Sequence, residues 1–198
     1  MRIGIDFDNT IARYDELFQS LAGEAGTFGS KQEIRDHLRR QPNGEESWRD
    51  LQAEAYGPRM GEAEVYPGVV DFLRQCRAQE IPVYVVSHKT RFAANDKARV
   101  DLRVAALAWM EANNFFESDG IELRRENIFF EDTRAAKVSR IAALECSHFI
   151  DDLEEIFTEA DFPNGVAKVL LSEKPRAADG RFHACCNWRE ITSHVFGD

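Results

Sequence analysis

Residues 1–11 read MRIGIDFDNTI, and this stretch is the starting point for interpreting the rest of the chain. Ile3 and Ile5 flank a glycine, which is typical of a short buried strand. Asp6 and Asp8 follow directly, one residue apart. Two carboxylates held together on a loop repel each other and lose hydration unless a cation joins them. The stretch therefore predicts half of a site that holds a divalent metal ion and a nucleophile.

The composition limits the class of protein. The chain has 198 residues, of which 43% are hydrophobic and 30% charged, and this is typical of one globular domain with a modest insert. The formal net charge of −10 disfavours a nucleic-acid partner, since general nucleic-acid binders need a basic surface. We find no membrane-span pattern, no leader pattern and no Cys-x-x-Cys pair, so we expect a cytoplasmic protein. The oligomeric state stays open.

Residues 14–65 have helical spacing with several breaks and no strand pattern. A first helix is predicted to end at a break over Gly26–Ser30, and Ser47 is predicted to cap a third helix. The segment is too short and too interrupted for an independent domain. We therefore expect a small helical cap inserted into a core that comprises residues 1–13 and 66–198.

The core segment alternates apolar β-branched runs with amphipathic helices. Its clearest strand patterns cover residues 81–86, 128–131, 148–150 and 166–171. Helices of crossover length between strands favour an α/β fold with a Rossmann-like parallel sheet covered on both faces. Ligands bind such sheets beyond the carboxyl ends of the strands, so the residues at strand ends are the candidates for function.

Two weaker predictions concern helices of the core. Val100, Val104, Leu107 and Ala108 are spaced as the apolar face of a helix that follows the second core strand. The tail, residues 172–198, is expected to hold a loop and one short helix.

Polar groups follow several of the predicted strands. Besides Asp6 and Asp8, the strand ends carry Ser87, Asp151 and Asp152. Carboxylates that converge on one edge of a sheet need a cation, and an oxygen-only ligand set suits Mg²⁺. The five histidines are scattered along the chain, which disfavours a zinc site.

This group of residues predicts phosphoryl-transfer chemistry. An aspartate beside a metal ion can attack phosphorus, and a second carboxylate can protonate the leaving oxygen and then activate water. The transition state also needs a hydroxyl donor and a lysine, which Ser87 and Lys137 can supply. Lys89 is an alternative lysine for the same phosphate. Ser87 can alternatively be only the N-cap of a following helix.

Four segments together resemble the four motifs of the haloacid dehalogenase-like superfamily. They are DFDNTI near the start, Ser87 after IPVYVV, Lys137 in a later helix, and FIDD ending at Asp152. The resemblance extends from Met1 to about Leu171. The helical segment resembles the C1-type cap of that superfamily, which shapes the substrate pocket.

The resemblance implies a role for each matched position. Asp6 would be the nucleophile, and Asp8 would be the acid/base and bind Mg²⁺ through its backbone carbonyl. Thr10 would support the loop. The remaining implied roles are phosphate binding by Ser87, pairing of Lys137 with nucleophile and phosphate, and metal binding by Asp6, Asp151 and Asp152. The order of the last two as metal ligands stays open.

The implied activity is that of a Mg²⁺-dependent phosphatase acting on a small phosphorylated metabolite, such as a sugar phosphate or a nucleotide. Asp8 favours phosphatase chemistry because the superfamily's dehalogenases and phosphonate hydrolases lack an aspartate at that position. The alternatives are a phosphotransferase or mutase of the same fold, and a non-catalytic protein that binds phosphometabolites.

For several further side chains, the sequence leaves the function open or favours a purely structural role. The basic loop over residues 89–99, with Arg91, Lys97 and Arg99, is either a solvated surface run or a site for a second anionic group, and the surface is favoured. Arg39–Arg40 in the cap is expected to face solvent, with substrate selection as the alternative. Phe7 is expected to point away from the metal by strand alternation.

Overall fold

The computed structural model describes residues 1–23, 28, 30–94, 99–118, 120–172, 174–176 and 180–197. Its strands are β1 (Ile3–Ile5), β2 (Ala12–Arg13), β3 (Glu64–Val65), β4 (Val83–His88), β5 (Ile128–Glu131), β6 (His148–Asp151), β7 (Ala167–Leu171) and β8 (His183–Cys185). Its helices are α1 (Asp15–Ala22), α2 (Lys31–Arg39), α3 (Gly44–Tyr56), α4 (Val69–Ala78), α5 (Leu102–Ala112), α6 (Arg134–Ala143), α7 (Glu154–Phe157) and α8 (Trp188–Phe196).

The main sheet has six strands in the order β5-β4-β1-β6-β7-β8, and every neighbouring pair is parallel. Strand β1 lies inside the sheet, with Ile3 opposite Val83 of β4 and His148 of β6. All three residues of β1 are buried, as expected for a strand covered on both faces. The predicted Rossmann-like parallel sheet is confirmed.

The two faces of the sheet carry separate hydrophobic clusters. Ile3, Ile5 and Phe7 belong to a large cluster that also contains Trp109 and Trp188. Phe149 belongs to the smaller cluster on the other face. Gly4 faces this second cluster, because a Cβ at Gly4 would lie 2.5 Å from Cδ2 of Phe149. The glycine within β1 thus makes room for an aromatic ring of the neighbouring strand β6.

Helices α1, α2 and α3 form the predicted helical insert. It lies between β2 and β3, which pair antiparallel through Ala12 with Val65 and Arg13 with Glu64. Strand β3 falls within the segment predicted to have no strand, because a two-residue strand is too short to show an alternating pattern. The break at Gly26–Ser30 is only partly described, since residues 24–27 and 29 lie outside the described residues.

Ser47 is not the N-cap of α3, so that prediction is wrong. The helix begins at Gly44, and the preceding Asn43 has a positive φ of 58°. A Cβ at Gly44 would lie 1.8 Å from the carbonyl oxygen of Leu38, so only glycine permits the tight turn from α2. The turn therefore sets the helix start three residues before the side chain that suggested it.

The predicted apolar face of α5 is also wrong. Val104 is 61% exposed, and Val100 precedes the helix. The buried side chains are Leu102, Ala106, Trp109 and Met110. They also have helical spacing, but they form a different face of the helix from the predicted one. The large tryptophan, rather than the β-branched residues, sets which side of α5 packs on the sheet.

The tail holds the expected helix, α8, together with strand β8, which the sequence did not suggest. The four cysteines, Cys76, Cys146, Cys185 and Cys186, are free thiols. Among the described residues, no helix has the length and apolar character needed to cross a membrane.

We predict that Gly4→Ala destabilises the protein by about 1–3 kcal/mol, because the new methyl group would press on Phe149 and on Sγ of Cys146, 3.0 Å away. Urea unfolding followed by circular dichroism measures the change. The control is Gly165→Ala, since a Cβ there has no neighbour within 4 Å among the atoms of the structure. Equal unfolding midpoints for the two variants would contradict the prediction.

Candidate active site

The candidate site lies where β1, β4 and β6 end. Asp6 directly follows β1, and its N–H donates to the carbonyl of Ile150 on β6 at 2.9 Å. Asp151 is the last residue of β6. Both carboxylates are buried, with Asp6 5% and Asp151 0% exposed. Adjacent parallel strands thus bring two acids from distant parts of the chain to one edge of the sheet.

Lys137 joins these two acids. Its Nζ donates to Oδ1 of Asp6 and to Oδ2 of Asp151, each at 2.6 Å. Helix α6 presents the lysine at this point, because Thr133 caps the helix through a hydrogen bond from the Ala136 N–H at 3.1 Å. Only 3% of Lys137 is exposed, so the interaction is a buried, charge-assisted one.

A cluster suited to a metal ion lies beside the lysine. Asp6, Asp151 and Asp152 each offer one carboxylate oxygen, and these oxygens lie within 4.8 Å of one another. Ligand oxygens around octahedral Mg²⁺ lie about 3–4 Å apart, so small side-chain movements bring the three into place. One lysine cannot balance three carboxylates. The donor chemistry and the charge of the described residues therefore fit a hard divalent cation.

The hydrogen bonds of Asp151, the last residue of β6, and of the following Asp152 differ. Oδ1 of Asp151 accepts the N–H of Leu153 at 2.9 Å, while its other oxygen is taken by Lys137. Oδ2 of Asp152 accepts a hydrogen bond from Nδ2 of Asn9 at 3.2 Å. Asn9 adopts a left-handed conformation with φ of 57°. The tight turn after Asp8 thus orients a candidate metal ligand.

Burial and mutual repulsion change the protonation of the cluster. Burial raises the pKa of Asp6 to about 7, against the opposing effect of Lys137, and the charges of Asp151 and Asp8 raise it further. The pKa of Asp152 is raised well above its ordinary value by the same causes, burial first. Burial alone would lower the pKa of Lys137, but the two carboxylates that it contacts raise it. Without a cation, the carboxylates therefore hold a proton near neutral pH.

Asp8 points to a different set of partners. The Tyr14 hydroxyl donates to Oδ1 of Asp8 at 2.5 Å, and Nζ of Lys89 lies 3.0 Å from each carboxylate oxygen. Tyr14 is the residue before α1, so the contact links the acidic loop to the helical insert. Burial raises the pKa of Tyr14 well above its ordinary value, so its hydroxyl remains a proton donor. The side chain of Asp8 lies outside the cluster of Asp6, Asp151 and Asp152.

Ser87 and Lys89 occupy neighbouring positions at the end of β4. Ser87 is the fifth residue of β4 and only 1% exposed, and its side chain has no hydrogen bond to another described residue. It is not a helix N-cap, because the next described helix, α5, begins at Leu102 and is capped by Asp101. Lys89 is 4% exposed and pairs with Asp8, whereas Lys137 pairs with Asp6. The two lysines thus serve different carboxylates.

The position of Thr10 is fixed by a hydrogen bond to its backbone rather than to its side chain. Its carbonyl accepts a hydrogen bond from Nε1 of Trp188 at 3.0 Å. Its buried hydroxyl has no partner among the described residues. Phe7, between the two acids, is fully buried and packs edge-on against Trp109 and Phe130, away from the carboxylates, as expected.

The described arginines of the basic loop and the arginine pair of the insert lie at the surface, whereas Lys89 at the start of the loop is buried. Arg91 is exposed and pairs with Asp101 at 2.7 Å, and the guanidinium of Arg99 lies over the ring of Phe92. Lys97 lies outside the described residues. Arg39 pairs with Glu45 at 2.7 Å on the outside of the insert.

Two functional candidates had no clear signal in the sequence. Asn9 could have been inferred from its place in a tight turn, since asparagine tolerates a left-handed conformation. Tyr14 had the spacing of an ordinary core residue, and nothing local indicates that its hydroxyl meets Asp8.

Comparison with solved structures identifies the fold. A haloacid dehalogenase-like family hydrolase from Xanthomonas campestris aligns over 100% of this chain and 95% of its own, with a TM-score of 0.57 and 10% identity. The chain has the haloacid dehalogenase-like fold. A family hydrolase from Deinococcus radiodurans with bound phosphate and sodium covers 99% of this chain and 95% of its own, with a TM-score of 0.54 and 15% identity.

A third similar structure, CbbY from Rhodobacter sphaeroides in complex with phosphate, covers 96% of this chain and 95% of its own. Its TM-score is 0.52 and its identity 13%. No protein-family model matches the sequence, and no curated protein does. The fold is therefore recognised by its three-dimensional arrangement, with the acidic cluster at the edge of its sheet.

We predict that Mg²⁺ binding strengthens as the pH rises from 6 to 8. The raised pKa of Asp6, about 7, means that below this pH a proton must leave before the carboxylate can bind a cation. Apparent affinity should fall by up to about tenfold per pH unit below 7 and level off above it. Isothermal titration calorimetry in buffers of different ionisation enthalpy measures both affinity and released protons.

The control for this titration is Asp132→Asn, which removes an exposed carboxylate and should leave both affinity and proton release unchanged. Mg²⁺ binding that releases no proton at pH 6, or that is equally strong at pH 6 and 8, would contradict the prediction.

Proposed function

We propose that the protein is a Mg²⁺-dependent phosphatase that hydrolyses a small phosphate monoester, a sugar phosphate or a nucleotide, through an aspartyl-phosphate on Asp6. The observation that carries the proposal is the position of Lys137, with its ammonium 2.6 Å from both Asp6 and Asp151. Nucleophile, lysine and cation ligands thereby meet at one point.

The first half-reaction is phosphoryl transfer to the protein. The Asp6 carboxylate attacks phosphorus, and the bond from phosphorus to the ester oxygen breaks. Lys137 orients Asp6, and Lys137 and the Ser87 hydroxyl donate to the phosphoryl oxygens. Asp6, Asp151, Asp152 and the backbone carbonyl of Asp8 would hold Mg²⁺, which when bound offsets the negative charge of the phosphoryl group.

Asp8 acts as the general acid and then as the general base. In its protonated form it gives its proton to the departing alkoxide, and the resulting carboxylate then takes a proton from the water that hydrolyses the aspartyl-phosphate. Tyr14 and Lys89 both donate to Asp8 and hold its carboxyl group in position. The ammonium of Lys89 has three donors, so it can also contact the phosphoryl group.

Other proteins with this fold support a phosphate ligand. The Deinococcus hydrolase and CbbY contain phosphate, and a second CbbY structure contains xylulose bisphosphate. We further propose that residues 14–65 act as a cap over the core of residues 1–13 and 66–198. A cytoplasmic location is part of the proposal, because all four cysteines are free thiols.

We predict that Asp6→Asn reduces turnover to below about 1% of wild type without unfolding the protein, because an amide is a poor nucleophile. The measurement is phosphate release from a broad panel of phosphorylated metabolites with Mg²⁺. Residual turnover above a few per cent would contradict the nucleophile assignment. The control variant is Asp132→Asn, which changes an exposed carboxylate in the same way.

The panel also separates the alternatives. Phosphate release without any acceptor would exclude obligatory transfer to a second metabolite. Absence of hydrolysis across the panel by the wild-type protein with Mg²⁺ would contradict the phosphatase proposal and favour a binding protein.

We predict that Tyr14→Phe lowers kcat by about tenfold, since the Asp8 carboxylate loses a hydrogen bond from a buried donor. Circular dichroism checks the fold, and Tyr84→Phe, a change on the half-buried part of β4, is the control. An unchanged kcat in Tyr14→Phe would contradict this role of Tyr14.

A further inference from the structure

Lys31 is partly buried in the helical insert, among aromatic side chains. It is the first residue of α2, and its Nζ donates to the hydroxyl of Tyr56 at 2.5 Å. The same ammonium lies 5.0 Å from the centre of the Phe18 ring and 6.0 Å from that of Tyr14. Among the described residues, no carboxylate lies within ion-pair distance of Lys31.

This arrangement is unusual for a lysine. Aromatic faces and one phenol oxygen recover only part of the hydration that a buried ammonium loses, and an ammonium has three donors. Met or Leu would fill the same aromatic cage without that cost. The retained charge therefore indicates a partner other than the residues that surround it.

The ammonium also lies on the catalytic side of the insert. The Tyr56 ring is a shared neighbour of Lys31 and Lys89, whose Nζ atoms lie 5.2 Å and 5.0 Å from the centre of that ring. Lys89 in turn contacts Asp8. Burial would lower the pKa of Lys31, but Tyr56 and then the charges of Asp152 and Asp8 raise it. Lys31 and Lys89 thus lie near the same aromatic ring, and Lys89 contacts Asp8.

Several other cations of the insert are paired with nearby carboxylates. Arg35 pairs with Asp36, Arg39 and Arg49 pair with Glu45, and Arg59 pairs with Glu62. At the site itself, Lys89 balances Asp8, while Lys137 and a divalent cation together balance the three clustered carboxylates. The charge of Lys31 has no such partner among the described residues.

We propose that Lys31 binds a second anionic group of the substrate, a carboxylate or a second phosphate, carried by the alcohol part of the ester. The inference rests on the proposed phosphatase function, because Asp8 marks the side of the site at which the alcohol leaves. The substrate class is therefore a phosphate monoester with a second negative group, selected by a cation that the insert supplies.

The test uses matched pairs of esters that differ in the second anion. Glycerol 3-phosphate and 3-phosphoglycerate differ in a carboxylate, and fructose 1-phosphate and fructose 1,6-bisphosphate differ in a phosphate. For each pair, kcat/KM is measured with Mg²⁺ for the wild type, Lys31→Met and Lys31→Arg. The two pairs show which of the two anions the site accepts.

We expect the wild type to prefer the member with the second anion in at least one pair. Lys31→Met should lower that preference about tenfold or more, mainly through KM, and Lys31→Arg should restore most of it. Arg40→Met, which removes an exposed charge from the same helical insert, should leave the preference unchanged. A merely structural role of Lys31 would lower both members of a pair equally, and this result would overturn the inference.

The remaining outcomes separate this inference from the proposed function. Hydrolysis of the esters by the wild type without preference for a second anion would overturn the role of Lys31 and leave the phosphatase proposal intact. If the wild type hydrolyses none of them, the phosphatase proposal fails. Calorimetric binding of the same pairs to the Mg²⁺-loaded protein then tests Lys31, and equal affinities of wild type and Lys31→Met for 3-phosphoglycerate and fructose 1,6-bisphosphate would overturn the inference.

Discussion

The buried ammonium of Lys137 between two carboxylates is the interaction on which the site depends. It joins Asp6, 131 residues away in the chain, to Asp151, 14 residues away. Each of the three charges would be costly to bury alone, and loss of one partner would leave the others uncompensated. The two strands and the helix that carry these charges must therefore pack in one particular arrangement, because only then is each buried charge compensated.

The sheet divides the acids of the first loop between two environments. Asp6 continues the direction of β1 into the buried cluster, whereas Asp8, past Phe7, turns toward Lys89 and Tyr14. Two carboxylates one residue apart thus acquire different partners and different environments, because desolvation and charge act on each separately. Tyr14 also makes the position of Asp8 depend on the place where the helical insert begins.

The local sequence pattern was sufficient to predict the elements whose position depends only on neighbouring residues. Apolar runs ending in acids predicted β1 and β6. The local sequence pattern gave wrong predictions where tertiary packing decided between helix boundaries or helix faces that the sequence made equally plausible. The tight turn at Gly44 displaced the start of α3, and the bulk of Trp109 set the buried face of α5.

The sequence by itself determined which groups stand at the carboxyl ends of the strands, because strand periodicity and chain direction are properties of neighbouring residues. Only the tertiary structure decided which ammonium meets which carboxylate. Lys89 and Asp8 are 81 residues apart, and Lys31 and Tyr56 are 25 apart, so their contacts depend on how separate elements pack. Spacing along the chain carries no information about such pairs, whereas burial makes each of them energetically decisive.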